Sequence, residues 1–351
     1  MKIAVQMDHV SKLSIKGDTT LALCLEAQKR KFKLYQYLPD NLTFIDGRLK
    51  VVVEELKLFD DCEDFFELGK PFTDDLNSFD TVLMRQEPPF DMHYITYTHL
   101  LDHLDKKVRV INNPVSVRNA PEKLLVTHFA DLMPKTIISK NFDEIKEFVS
   151  KLNKVVLKPL YGKGGEGIIL LESNDKMFDK KLENFLEIKE FVSKLNKVVL
   201  KPLYGKGGEG IILLESNDKM FDKKLENFLL SEHEPIMAQE YLPIVKKGDK
   251  RIILINGEPV GCLNRIPAEG EFRSNLGVGG LPELSELSSR DIEICKRISK
   301  TLIDYDLYFV GIDVIGDFLT EINVTCPTGV RQIKELGGPD IAKLFWDNIN
   351  S

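Results

Sequence analysis

The sequence has little of what marks a secreted, membrane-bound or nucleic-acid-binding protein. Its five cysteines are odd in number and widely scattered, which is neither a disulfide framework nor a zinc-site spacing, so we expect a reducing cytoplasm. No apolar run approaches the roughly 20 residues of a membrane helix, and Met1–Asp8 hold too short an apolar run for a signal peptide. The net charge of −7 argues against a nucleic-acid partner.

What the chain does have is a letter-for-letter internal repeat. Residues 144–186 and 187–229 are the same 43 residues, one copy directly after the other. Repeats that build solenoids diverge and come in threes or more, so two identical copies indicate a recent duplication or an artefact. The 351 residues less the 43 of one copy leave 308, enough for two or three domains with a large core.

The first 121 residues alternate between strand and helix patterns. We predict strands at 2–7, 34–37, 81–85 and 108–111, and helices at 20–31 and 94–104. Such alternation is typical of an open, largely parallel, Rossmann-like sheet. The turn signal Asn112-Asn113-Pro114 and a helix or linker at 116–123 close this predicted N-terminal domain, residues 1–121.

From about residue 121 the pattern changes to mixed helices and strands. We predict helices at 122–131, from 141, at 180–186, at 290–304 after Ser288-Ser289 and at the C-terminus, and strands at 136–139, 155–159, 168–172 and 236–242. Two hairpins follow, 250–255 with 258–265 across Asn256-Gly257, and 308–315 with 319–324. These elements predict two further parts, 122–240 with both copies of the repeat, and 241–351.

Each copy of the repeat contains a glycine-rich loop. Gly162–Gly167 match G-x-G-x-x-G, but β-branched residues follow where a dinucleotide fold needs a helix, and Gly-Lys-Ser/Thr is absent. The loop therefore joins two strands. Its backbone N–H groups and the Lys158 ammonium on the first strand could hold nucleotide phosphates. The alternative is a flexible surface hairpin without a ligand.

Three oxygen-bearing side chains, Asp313, Glu321 and Asn323, lie on the two strands of the last predicted hairpin. Glu321 and Asn323 are two residues apart and so share one face of a strand. A three-residue turn, Gly316-Asp317-Phe318, would place Asp313 opposite Glu321, whereas a two-residue turn would place it on the other face. Such an oxygen set suits Mg²⁺. The metal interpretation thus predicts the longer turn, and the alternative is an ordinary strand whose polar residues face water.

Several segments together resemble the ATP-grasp ligases. They are Glu122–Leu124, Val156–Leu160 with the glycine loop, Met237–Pro243, Gly248–Arg251 and Leu319–Val324. More narrowly, the chain is similar to the bacterial glutathione synthetases in Leu83–Asp91, Asn264–Pro267, Arg273–Leu276, Phe309–Asp313 and Asn323–Thr328. The resemblance runs in order from residue 1 to about residue 345. It implies an α/β ATP-grasp fold with an N-terminal open parallel-sheet domain, a small α+β lid subdomain and a C-terminal α+β subdomain.

The resemblance also implies roles for individual residues. ATP phosphates would be bound by Lys123, by Lys158 or Lys201, and by the loop glycines Gly162, Gly164, Gly165 and Gly167 or their counterparts Gly205, Gly207, Gly208 and Gly210. Gln239, Glu240, Tyr241 and Leu242 would contact adenine, with Asp249 near the ribose. Asp313, Glu321 and Asn323 would bind two Mg²⁺ or Mn²⁺ ions. Arg251, Arg265, Arg273 and Asn275 would face the transferring phosphoryl group, and Asp8, Arg85, Pro327, Thr328 and Gly329 would help to bind the dipeptide.

The activity implied by the resemblance is ATP-dependent joining of γ-glutamylcysteine to glycine through an acyl phosphate, by a cytoplasmic homotetramer. One alternative is another ATP-grasp carboxylate–amine ligase, such as a D-alanine ligase or a glutamate-adding enzyme. The other is a protein that binds ATP but is inactive because its glycine-loop segment is duplicated.

The duplication leaves two candidates for one position in the fold. Asn184-Phe185-Leu186-Glu187 imitates the helix entry Asn141-Phe142-Asp143-Glu144, so the second copy begins and ends in near-native sequence. For that reason we predict that the second copy occupies the position. Because loop-closure entropy grows slowly with length, the spare copy should cost the fold only about 1–3 kcal/mol. Our hypothesis is that the fold survives and turnover is impaired.

Overall fold

The computed structural model describes residues 1–60, 64–160, 168–175, 178, 181–182, 197–200, 212–215, 235–270, 273–276 and 279–349. The strands are β1 Lys2–Gln6, β2 Lys33–Tyr37, β3 Leu42–Ile45, β4 Arg48–Leu58, β5 Phe66–Leu68, β6 Phe72–Asp75, β7 Thr81–Met84, β8 Arg109–Ile111, β9 Thr136–Ser139, β10 Lys154–Pro159, β11 Ile169–Glu172, β12 Lys197–Leu200, β13 Ile212–Glu215, β14 Ile236–Glu240, β15 Asp249–Ile255, β16 Glu258–Ile266, β17 Leu281–Leu284, β18 Phe309–Ile315 and β19 Phe318–Asn323.

The α-helices are α1 Thr19–Lys29, α2 Met92–Leu101, α3 Pro114–Asn119, α4 Glu122–Leu125, α5 Phe142–Leu152, α6 Ser289–Asp304, α7 Val330–Glu335 and α8 Ile341–Ile349. Short 3₁₀ helices lie at Val10–Lys12, Pro39–Asn41, Leu76–Ser78, Val126–Leu132 and Pro243–Lys247. Among the described residues, no helix has the length and apolar character needed to cross a membrane.

The described residues fall into two compact units. The first contains Met1–Pro134 and Leu242–Ser351, and the second contains Lys135–Leu160 and residues from Gly167 to Tyr241. The three-part division at residues 121 and 240 remains a prediction.

The first sheet of the first unit has the predicted parallel centre. β2, β1, β7 and β8 are neighbours in that order and all run parallel. β7 is buried at every position, as expected for a parallel strand covered on both faces. One apolar cluster joins this sheet to α1 and α8, where the indole of Trp346 donates to the Leu23 carbonyl at 2.8 Å.

Four antiparallel strands, β3 to β6, extend this sheet and were not predicted. β3 and β4 form a hairpin across Asp46-Gly47, where both residues have positive φ. β4 then pairs with β2 on one part of its length and with β5 and β6 on others. Asp46-Gly47, between two segments rich in apolar and β-branched residues, was the sequence signal for this hairpin.

The second sheet of the first unit is antiparallel, in the order β17-β16-β15-β18-β19. β15 and β16 join across Asn256-Gly257 with φ values of 51° and 77°, which confirms the predicted type I′ hairpin.

The hairpin of β18 and β19 differs from the prediction in its turn. Ile315 pairs with Phe318, so the turn has two residues and the predicted three-residue turn is wrong. Asp313 nevertheless lies opposite Glu321, as predicted, because Thr320 is an extra residue that forms a β-bulge. The Thr320 hydroxyl donates to the Asp313 carbonyl at 3.1 Å across this bulge.

The second unit contains a four-stranded antiparallel sheet in the order β11-β10-β14-β9. α5 packs on it with Ile145 and Val149, which are fully buried against Val155 and Leu157 of β10. Asn141 caps this helix by accepting from the amides of Asp143 and Glu144.

The first copy of the repeat therefore occupies the sheet, and our prediction for the second copy is wrong. β10 pairs with β14 over five residues, whereas β12 and β13 of the second copy pair only with each other. Whichever copy is in the sheet, the other copy adds 43 residues to a connection, so loop-closure entropy is the same for both arrangements. Asp143, which directly precedes the first copy, lies in the first turn of α5, where a negative charge is favourable, whereas the residue that precedes the second copy is Leu186.

The start of α6 offers a test of local structure. The Ser288 hydroxyl accepts from the Asp291 amide at 3.1 Å and the Ser288 amide donates to the Asp291 carboxylate at 2.7 Å, which forms a capping box. We expect Ser288→Ala to lower the free energy of unfolding by about 1 kcal/mol. Ser289→Ala, one residue inside the helix, should change it by less than about 0.5 kcal/mol. Denaturant unfolding measures both, and equal effects would contradict the assignment of Ser288 as the cap.

Candidate active site

Two buried ion pairs lie side by side on one face of the sheet formed by β16, β15 and β18. Asp249 is opposite Arg265, and Arg251 is opposite Asp313. Alternation along β15 puts Asp249 and Arg251 on the same face. All four residues are between 2% and 8% exposed. The strand register therefore gathers two guanidinium groups and two carboxylates that are far apart in the chain.

The contacts within this cluster are short and shared. Arg251 donates to both carboxylate oxygens of Asp313, from Nε at 2.5 Å and from Nη2 at 3.0 Å. Arg265 Nη2 lies 2.6 Å from Asp249 Oδ2 and 3.0 Å from Asp313 Oδ1. Asp313 is thus held by two arginines at once, and each of them also reaches another group.

Burial and charge oppose each other in this cluster. Burial by itself would raise the pKa of Asp313, but the charges of Arg251 and Arg265 and their hydrogen bonds outweigh it and hold that pKa well below its usual range. Burial raises the pKa of Asp249, since Arg265 offsets it only in part. Asp313 is consequently a permanent anion at neutral pH.

A glycine makes room for Arg251. A Cβ on Gly311 would stand 2.9 Å from Cβ of Pro327 and 3.2 Å from Cδ of Arg251, closer than side chains pack. A Cβ on Gly329, whose φ is +114°, would stand 3.6 Å from Cγ of the same arginine. Arg251 Nη1 reaches the Thr328 carbonyl at 3.4 Å. The Pro327-Thr328-Gly329 turn is therefore in contact with the charge cluster.

The three predicted metal ligands fit a hard divalent cation. Asp313 is opposite Glu321 on the neighbouring strand, and Asn323 Nδ2 is 3.4 Å from Asp313 Oδ2. Two carboxylates and an amide oxygen are the donor chemistry that Mg²⁺ or Mn²⁺ prefers. Among the described residues, no three His, Cys, Asp or Glu side chains are grouped as a metal site would need.

Lys123 lies in the same unit's α4, beside the hairpin of β18 and β19. It is 4% exposed, and its neighbour Glu122 accepts from the Thr325 hydroxyl at 2.9 Å. Burial and the charge of Glu321 raise the pKa of Glu122 to about 7. Glu122 and Thr325 connect the helix that carries Lys123 to the segment after β19, and the sequence analysis assigned no role to either residue.

In the second unit, the predicted ATP lysine and adenine segment meet in the four-stranded sheet. Lys158 Nζ donates to Gln239 Oε1 at 3.0 Å, and the amide nitrogen of Gln239 donates to the Thr136 hydroxyl at 3.1 Å. Lys158 and Gln239 are 8% and 3% exposed. The ammonium of Lys154 stands 4.5 Å from the centre of the Tyr241 ring. The structure thus brings together Lys158 and Gln239, which are 81 residues apart.

The predicted dipeptide residues form a second group of contacts in the first unit. The Asp8 carboxylate accepts from the Glu87 amide at 3.1 Å. Arg85 is 5% exposed; it donates to the Thr20 hydroxyl at 3.0 Å and approaches the Pro327 carbonyl at 3.5 Å. Within the described part of the chain, this guanidinium forms no ion pair with a carboxylate. A buried cation of this kind is suited to an anionic ligand.

The remaining predicted residues are less completely placed. Arg273 and Asn275 are half-buried in the loop between β16 and β17, of which residues 271–272 and 277–278 are not described. The loop glycines Gly162, Gly164, Gly165 and Gly167, their counterparts Gly205, Gly207, Gly208 and Gly210, and Lys201 lie outside the described residues. Glu240, Tyr241 and Leu242 follow one another at and beyond the end of β14.

Solved structures with this arrangement define the class of fold. Similar chains include D-cycloserine synthetase DcsG, with a TM-score of 0.62, 10% identity and coverage of 99% of this chain and 98% of that one. Another is the RimK domain protein ATP-grasp from Sphaerobacter thermophilus, with a TM-score of 0.56, 12% identity and full coverage of both chains. At such low identity the likeness shows the fold alone, and that fold is ATP-grasp.

Sequence comparison then gives the family. The family model of the prokaryotic glutathione synthetase N-terminal domain matches residues 1–118, and that of its ATP-grasp domain matches 122–187 and 182–338. The glutathione synthetase of Agrobacterium fabrum is 46% identical over 347 residues, covering 99% of this chain and 95% of the relative. That of Brucella melitensis is 45% identical, covering 100% and 99%. The chain belongs to the prokaryotic glutathione synthetase family.

The raised pKa of Glu122 predicts how stability depends on pH. The carboxyl of an unfolded Glu titrates near its ordinary pKa of 4.5, whereas in the folded protein Glu122 keeps its proton up to about pH 7. The free energy of unfolding therefore falls as the pH rises from about 4.5 to about 7. Glu122→Gln removes this titration and keeps an oxygen that can accept from Thr325. We expect the variant to gain up to about 3 kcal/mol over the parent chain at pH 8 and much less at pH 5. A stability difference that stays constant between these pH values, measured by denaturant unfolding, would contradict the prediction.

Proposed function

We propose that this chain is a glutathione synthase, which joins γ-L-glutamyl-L-cysteine to glycine and converts ATP to ADP and phosphate. The observation that carries the proposal is full-length similarity to glutathione synthetases at 45–46% identity, together with family models that match both halves of the chain. The buried arginines and carboxylates described above supply the charges that such an ATP-dependent ligase requires.

In this proposal ATP is bound by the residues that the family resemblance assigns to it. Lys123 and Lys158 bind its phosphates, with help from the loop glycines that lie outside the described residues. The backbone from Gln239 to Leu242 binds adenine, and Asp249 lies near the ribose. The support for Lys158 is its burial and its contact with Gln239, which hold the ammonium beside the adenine segment at 3.0 Å.

Two Mg²⁺ or Mn²⁺ ions would be held by Asp313, Glu321 and Asn323. The ions would neutralise charge on the phosphates of ATP and on the phosphoryl group in transfer. The support is the shared face of these three side chains and the persistent negative charge of Asp313.

The reaction proceeds in two steps. A carboxylate oxygen of the dipeptide attacks the γ-phosphorus of ATP, the bond to the bridging oxygen breaks, and ADP leaves. The resulting acyl phosphate has a good leaving group. The amine of glycine then attacks the carbonyl carbon, phosphate departs, and the nitrogen loses a proton as the amide forms. Both steps concentrate negative charge, so preorganised cations lower both barriers.

Arg251 and Arg265 are the preorganised cations of this mechanism. Their side chains are fixed by Asp313 and Asp249, so little reorganisation is needed when charge develops. Arg273 and Asn275 would contribute further donors to the transferring group.

The dipeptide would bind where Arg85 meets the Pro327-Thr328-Gly329 turn, with Asp8 nearby. The support is the burial of Arg85 without a carboxylate partner among the described residues, since the dipeptide carries carboxylates that can pair with it. The proposal extends to a cytoplasmic homotetramer without nucleic-acid or membrane partners. Measurement of the molar mass in solution tests the tetrameric state.

Phosphate release by the 351-residue protein tests the proposed reaction. We expect release to require ATP, Mg²⁺, γ-glutamylcysteine and glycine together, and glutathione to form in equal amount. Replacement of γ-glutamylcysteine by D-alanine or by an acceptor for glutamate should abolish it. Release that persists with either of those substrates instead would favour another carboxylate–amine ligase.

Asp313→Asn tests the charge cluster. The change removes the anion that would bind the metal and that fixes both arginines, so we expect glycine-dependent turnover to fall by about 100-fold or more and the Mg²⁺ requirement to rise. The matched control is Asp317→Asn in the exposed turn of the same hairpin, which should stay within about twofold of the parent chain. Equal activities of the two variants would exclude Asp313 from the mechanism.

The duplication favours one other candidate, a chain that binds ATP without turning it over. Calorimetry with a non-hydrolysable ATP analogue would then show binding while phosphate release is absent. Deletion of residues 187–229 should restore or raise turnover under our hypothesis that the spare copy impairs it. A deleted chain with the turnover number of the full chain would contradict that hypothesis.

A further inference from the structure

One edge of β14, in the second unit, could pair with either of two segments of identical sequence. β14 is paired by β9 on one side and by β10 on the other. β12 has the same sequence as the corresponding part of β10, and it forms a hairpin with β13 in which all four residue pairs repeat those of β10 and β11, moved by 43 positions. The second hairpin thus has the same internal register as the one in the sheet, without pairing to β14.

The apolar core of this unit comes almost entirely from the repeat. Its eight buried core residues are Ile145, Val149, Val155, Leu157, Leu171, Phe178, Leu182 and Ala238. All but Ala238 belong to the first copy, and the second copy offers the same residues as Ile188, Val192, Val198, Leu200, Leu214, Phe221 and Leu225. A second copy that replaced the first would bury identical side chains against β14.

Only the flanks distinguish the two arrangements. The residue before the first copy is Asp143, in the first turn of α5, and the residue before the second copy is Leu186. A negative charge at this position favours the first copy by about two- to fivefold in population. Since the excursion has the same length in either case, loop closure adds no further preference. The two arrangements are therefore of similar free energy.

The family comparison shows that each copy is a complete version of the segment. The ATP-grasp domain is matched in two stretches, 122–187 and 182–338, of which the first contains the whole first copy and the second the whole second copy.

We propose that the two copies exchange at β14, so that residues 187–229 replace residues 144–186 in the sheet in a substantial minority of molecules. The exchange requires local opening of the five-residue pairing between β10 and β14, a sub-global event that leaves the first unit folded. The exchange does not rest on the proposed function.

Hydrogen exchange at β14 tests the proposal, because residues 236–240 occur once in the chain and report on either partner. We would compare the full-length parent with Val155→Asp/Leu157→Asp, which places two charges at fully buried positions of the first copy. The matched control is Val198→Asp/Leu200→Asp in the second copy. A quadruple variant combines all four changes. Amide protection is followed by mass spectrometry of the peptide that contains Met237 and Ala238.

The proposal predicts that either two-residue variant keeps protection at β14 within about tenfold of the parent, because the intact copy takes the edge. The quadruple variant should lose at least about 100-fold. Loss in the first-copy variant equal to that in the quadruple variant would overturn the exchange. Protection that survives in the quadruple variant would also overturn it, since β14 would then depend on neither copy. Neither outcome depends on ligase activity.

Discussion

The register of β15 between β16 and β18 is the constraint on which the candidate site depends. It places Arg265 opposite Asp249 and Arg251 opposite Asp313, so that four charges are buried as two adjacent pairs. Removal of one member would leave an uncompensated buried charge, which is far more costly than the net value of either pair. A shift of one residue in this register would move each of these side chains to the opposite face. The candidate site therefore forms only when these strands pair in this register.

Two small backbone features complete the arrangement. The bulge at Thr320 compensates for a two-residue turn and returns Asp313 to the position opposite Glu321. Gly311 leaves the space in which the Arg251 side chain crosses towards the Pro327-Thr328-Gly329 turn. A longer turn and a regular ladder would have given the same pairing, so the position of Asp313 opposite Glu321 was predicted correctly from an incorrect turn length.

Local contact energies do not determine which copy of the repeat pairs with β14. Identical sequences have identical strand pairing, helix propensity and core packing, and only a few flanking residues differ. Our expectation for the second copy relied on the resemblance of Asn184–Glu187 to the native helix entry. It gave too little weight to Asp143, whose charge lies in the first turn of α5, and which Leu186 replaces.

The sequence by itself determined the parallel centre of the first sheet, the Asn256-Gly257 hairpin, the cap of α6 and the family, because each depends on local periodicity, turn residues or extended similarity. It also contained an Asp46-Gly47 signal for the antiparallel extension that we did not use. The tertiary structure alone decided that Arg251 and Arg265 share Asp313, that Glu122 meets Thr325, and which copy pairs with β14. Some of these contacts join residues up to 203 positions apart, and the pairing with β14 involves one of two segments of identical sequence. Local sequence does not determine such contacts, because they depend on strand register and packing.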